Sequence, residues 1–97
     1  MNVLNLVACL SRGEEHAITA KELSKLLNWS ERDITSAVNI LRKSGKIICS
    51  SAKGYFLPSC NEDVREFVRQ MNGRIKDMKR ATAPAEKFLK KYQERIL

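Results

Sequence analysis

Between Thr19 and Gly45 the sequence spells two amphipathic helices with only three residues between them, and this tight junction constrains the chain more than any other feature. Thr19-Ala20-Lys21-Glu22 is a capping box: the threonine hydroxyl can accept from the amide of Glu22, whose carboxylate reaches back to the amide of Thr19. Leu23, Leu26 and Leu27 come next at i, i+3 and i+4, so a helix runs to about Asn28. Asparagine tolerates the left-handed conformation that ends a helix, Trp29 is expected to pack inward, and Ser30 caps a second helix. That second helix opens with Glu31 and Asp33 in its first turn, where the helix dipole favours acids. It is expected to bury Ile34, Ala37, Val38 and Leu41 on one face and to stop at Ser44-Gly45.

The flanks add four elements. Val3, Leu4, Leu6, Val7 and Leu10 lie at helical spacing behind Asn2, a good cap, and predict a first helix of two to three turns. Ser11 to His16 is charged, contains Gly13 and reads as a loop, after which Ala17-Ile18 can form a very short strand or an extended link. Lys46 to Ser50 and Gly54 to Leu57 are β-prone runs separated by Ser51-Ala52-Lys53, which predicts a hairpin ended by Pro58. Ser59 with Glu62, or Asn61 alone, then caps a long last helix. In it Val64, Val68, Met71, Ile75, Met78, Thr82, Ala85, Leu89, Tyr92 and Ile96 alternate spacings of four and three, a heptad seam. Pro84 is expected to kink or split this helix, because an interior proline loses a hydrogen bond and clashes with the carbonyl four residues earlier.

Helix, short strand, helix, tight turn, helix and hairpin is the order of a winged helix-turn-helix domain. Glu22 to Ser30 (Glu-Leu-Ser-Lys-Leu-Leu-Asn-Trp-Ser) resembles that family's positioning helix and turn, and Ile34 to Leu41 resembles its recognition helix. Leu41-Arg42-Lys43-Ser44-Gly45-Lys46-Ile47 looks like its exit into the wing, and Ala52 to Leu57 is similar to the wing of the biotin-repressor branch. The resemblance covers roughly residues 17 to 58. Two positions depart from it: Ser24 stands where a small alanine is common, and Asn28 where the turn usually has glycine. The resemblance implies a mainly α fold with a small β-hairpin, duplex DNA as partner, and the transcription-regulator role such domains have in small phage and prophage proteins. Residues 1–60 are read as the winged domain and 61–97 as a C-terminal helical, coiled-coil-like arm.

Charge agrees with a polyanionic partner. Eighteen Lys and Arg against eleven Asp and Glu give +7, with eight cations to five anions up to Cys60 and ten to six after it, so both parts can meet phosphate. Other classes find little support. No stretch approaches the ~20 apolar residues a membrane span needs, and the opening ten residues lack the basic leader of a signal peptide, so a cytoplasmic location and no membrane partner are expected. Cys9, Cys49 and Cys60 are odd in number and form no Cys-x-x-Cys pair, which predicts reduced thiols; with His16 they show no metal-ligand spacing. No catalytic constellation or phosphate loop is visible, so neither enzyme activity nor a metal or other cofactor is expected.

Opposite the buried face of the third helix, Arg32, Ser36, Asn39 and Lys43 share a polar face at spacings of four, three and four. Arginine can pair with guanine, asparagine with adenine, serine with either, and Lys43 can hold phosphate. Ser30, Thr35 and Arg42 flank this face, and Ser51 and Lys53 on the wing offer a hydroxyl and a cation. The seam residues Val64, Val68, Met71, Ile75, Met78, Leu89, Tyr92 and Ile96 span more length than a domain of about sixty residues covers at ~1.5 Å per residue, which favours a homodimer. Arg74 and Lys79 would meet across a parallel pair, leaving an antiparallel or higher arrangement open. The competing reading is a winged-helix interaction protein that binds a protein or nucleoprotein, such as an inhibitor of a host CRISPR nuclease.

Overall fold

The computed structural model describes residues 2–96, with side chains to residue 91. Helices α1 (Val3–Ala8), α2 (Ala20–Leu27) and α3 (Glu31–Lys43) precede the strands β1 (Cys49–Ser51) and β2 (Gly54–Phe56), and α4 (Asn61–Ile96) comes last. Every one of the first three helices starts at the cap its sequence offers. Asn2 accepts from the Leu4 amide at 3.0 Å, Thr19 and Glu22 complete the capping box, and Ser30 Oγ accepts from the Asp33 amide at 3.0 Å. A single turn of 3₁₀ helix, Glu14–His16, lies within the segment expected to be loop.

The junction between α2 and α3 is the expected three residues. Asn28 takes the left-handed conformation at φ 56°, ψ 42°, so it replaces glycine at little cost. Ser24 supports the same turn: its hydroxyl donates to the Trp29 carbonyl, while the Trp29 amide donates to the Ser24 carbonyl at 3.1 Å. Trp29 is half-buried against the core. That core unites Leu6 and Leu10 with Leu23 of α2, Ile34, Val38 and Leu41 of α3, and Ile48.

The hairpin is shorter than the β-prone runs suggest. The register pairs Cys49 with Phe56, Ser50 with Tyr55 and Ser51 with Gly54, so the turn is Ala52-Lys53 alone. Ile48 lies opposite Leu57 at a non-hydrogen-bonded position, and the next bonded position sets Ile47 against Pro58, which has no amide, so the ladder begins at Cys49. The outward Ile48 carbonyl accepts from Arg42 Nε and Nη2 at 2.9 and 2.7 Å, and its side chain is fully buried. On the other edge, Ile18 and Tyr55 exchange backbone hydrogen bonds of 3.0 and 2.8 Å, which fixes β2 to the segment ahead of α2.

Two expectations about α4 need correction. Ser59 accepts no hydrogen bond from the described helix residues and pairs with Asp63 rather than Glu62: its amide and hydroxyl both donate to Asp63 Oδ2 at 2.9 Å, and these bonds hold the Asp63 carboxyl below its usual range. Pro84 does not split the helix, which continues through it. Residues 80–88 are exposed, so water can reach the Arg80 carbonyl that the missing amide leaves without its helical donor. The chain divides into two units, Met1–Phe67 and Val68–Leu97, the division falling inside α4. Among the described residues no helix is long and apolar enough to cross a membrane.

Candidate nucleic-acid interface

Helix α3 owes its two faces to its sequence period. Ile34, Ala37, Val38 and Leu41 are buried, which turns Arg32, Ser36, Asn39 and Lys43 to solvent. No intramolecular hydrogen bond or ion pair engages these four side chains among the described residues, so their donors and acceptors are open to a ligand. Arg32 stands in the first turn and Lys43 in the last, so the set runs the length of the helix.

The flanking residues are placed differently. Ser30 is occupied as the α3 cap, and the Thr35 hydroxyl donates to the Glu31 carbonyl at 3.2 Å; both remain exposed. Arg42 turns away from this face. Its guanidinium donates to the Ile48 carbonyl and, at 3.2 Å, to Ser50 Oγ, and it lies 4.7 Å from the Phe67 ring centroid and 6.0 Å from that of Tyr55. Arg42 therefore ties α3 to the hairpin and to the start of α4. Nearby, burial pushes the Cys49 thiol up, Asp63 adds to the rise and Arg42 opposes it.

On the hairpin, Ser51 Oγ accepts from the Lys53 amide at 3.1 Å and shapes the turn. Lys53 Nζ is exposed at the turn and stands 3.7 Å from Glu14 Oε1. Two exposed residues beside the outward face escape a search for polar spacing alone. Lys46 continues the cationic end of α3 beyond Gly45, and Ile40, 52% exposed, is the sole apolar side chain that α3 leaves outside. The signal for Ile40 was its position on the helix, outside the stripe formed by Ile34, Ala37, Val38 and Leu41.

In α4, Val64 and Met71 are half-buried, whereas Val68, Ile75, Met78 and Leu89 are exposed, Met78 by 69%. Phe88, 68% exposed, adds a large apolar group beside the seam. The side chains of Tyr92 and Ile96 lie outside those described. No cluster of three or more His, Cys, Asp or Glu is arranged to hold a metal among the described residues.

Comparison with curated proteins and with solved structures gives no match. A family model described as an HTH domain matches residues 2–56, more than half of the chain, from the α1 cap to the last residue of β2. Three helices in this order, a three-residue turn with Asn28 left-handed before a helix with an outward polar face, and a hairpin behind it are the parts such a domain requires, and the chain belongs to this helix-turn-helix family of DNA-binding domains.

Proposed function

We propose that the protein is a transcription regulator of phage or bacterial type that binds duplex DNA sequence-selectively, as a homodimer, in the cytoplasm. The observation that carries this reading is the unengaged polar set Arg32, Ser36, Asn39 and Lys43 on the side of α3 opposite its buried stripe. A helix entering the major groove with these groups can pair Arg32 with guanine and Asn39 with adenine, while Lys43 and Lys53 hold backbone phosphates. Residues 1–60 serve as the reading head and 61–97 as the arm that pairs two chains through Val64, Val68, Met71, Ile75, Met78 and Leu89. Two heads on one duplex gain effective concentration, so two spaced half-sites bind far better than one.

Selection of binding sites from random duplex DNA tests the reading on the full chain. A recurring motif is expected, and Arg32→Ala and Asn39→Ala each weaken binding to it by about 1–3 kcal/mol and relax one base preference. If no motif is enriched, or if both variants bind as the parent does, the outward face serves a protein or nucleoprotein partner instead.

A further inference from the structure

Ile40 is misplaced for folding and well placed for recognition. It takes no part in the core cluster, although every other apolar residue of α3 is buried. On the helix surface it sits between Ser36, four residues before it, and Lys43, three after it, and it directly succeeds Asn39 in sequence. A lone exposed isoleucine is common on protein surfaces. Here it stands beside Ser36, Asn39 and Lys43, whose polar groups are unengaged, and it is the one large apolar side chain that α3 exposes to a ligand. Its β-branch also restricts χ1 in a helix, so its Cγ2 methyl is held in position before any contact.

Only one base presents an apolar group on the major-groove edge of B-DNA, and that is thymine, through its C5 methyl. Resting on the reading that α3 enters the major groove, we propose that Ile40 is a specificity-determining residue that selects a thymine methyl next to the base contacted by Asn39. A helix rises ~1.5 Å per residue and a DNA strand ~3.4 Å per base, so consecutive residues reach the same or adjacent base pairs. Asn39 and Ile40 together would then read an adenine and a thymine methyl within one step. The hydrogen bonds of Asn39 choose the first; the methyl contact excludes cytosine, which lacks the group, from the second.

Deoxyuridine in place of thymine tests this without altering base pairing, because it removes the C5 methyl alone. On the selected site, the thymine neighbouring the Asn39-dependent base is replaced, and binding of the full-length protein is compared with that of Ile40→Ala. The parent is expected to lose about fourfold in affinity on the uracil site, the worth of one buried methyl. Ile40→Ala is expected to bind both sites equally, and at the level the parent shows on uracil. Because Ile40 is exposed, the alanine variant should keep the parent's melting temperature, which separates recognition from folding. The assignment is overturned if the motif has no thymine within one step of the Asn39-dependent base. It is also overturned if the parent binds uracil and thymine sites alike, or if Ile40→Ala retains the difference. In each of these cases the DNA-reading role of α3 stands; absence of any motif overturns both.

Discussion

Arg42 joins three elements through one guanidinium. As a cation near the end of a recognition helix it invites assignment to phosphate, yet its donors are taken up by the Ile48 carbonyl and Ser50 Oγ, and its plane lies against Phe67. Removing it would strand a carbonyl that has no ladder partner and detach the hairpin from α3. Arg42→Ala is expected to lower the unfolding free energy by about 2–3 kcal/mol, from charge-assisted hydrogen bonds and the ring contact together. Arg42→Lys should recover only part of this, since an ammonium cannot present a planar fork to two acceptors or stack on a ring. Urea unfolding of both variants measures the effect; a loss below about 0.5 kcal/mol for alanine would return Arg42 to the surface. Arg32, Ser36, Asn39 and Lys43 were legible as outward because they complete a helix whose other side is apolar. The orientation of Arg42 was not, because its partners lie six and eight residues onward and in α4, where no local pattern reaches.

At the level of elements, the helices were readable and the strands much less so. Caps act over three residues and helical periodicity over a few turns, so Asn2, Thr19 and Ser30 announced their helices and Asn28 announced the turn. Strand length depends on which backbone groups find partners elsewhere. Opposite Ile47 stands Pro58, which has no amide to donate, and so the ladder starts at Cys49 although Ile47 and Ile48 favour a strand. Gly54 shows how tightly β2 is held: at φ 126° it occupies backbone space that L-residues avoid, and a Cβ there would strike the Ile18 carbonyl and come within 2.7 Å of the Thr19 amide nitrogen. Gly54→Ala should therefore push the hairpin off the segment leading into α2 and cost about 2 kcal/mol or more. Thermal melts of the variant check this, with loss of amide protection at Ile18 and Tyr55 by hydrogen exchange as the local sign. An unchanged melting temperature would mean that β2 is not anchored there.

For the whole molecule, the proposed pairing of reading heads rests on the exposed seam of α4. Val68, Ile75, Met78 and Leu89 leave an apolar row in water that a second copy would cover. Light scattering should give twice the monomer mass at micromolar concentration, and Ile75→Asp, which puts a charge on that row, should give monomers that bind a two-half-site duplex more weakly. A monomeric parent chain refutes the pairing. The wing carries a different consequence. Lys53 already has an anion beside it, because Glu14 stands 3.7 Å away. Docking of the wing as proposed would exchange a carboxylate for a phosphate; the cation that Glu14 then takes up would offset the counterion released from the DNA, and Lys53 would contribute less to the salt dependence of binding than Lys43, which has no acidic neighbour within ion-pair distance among the described residues. Glu14→Gln should reverse this, tightening binding at low salt and steepening its decline as salt rises. In the proposed complex Glu14 would be an internal competitor for the wing, keeping its cation from gripping duplexes of every sequence and leaving more of the discrimination to α3.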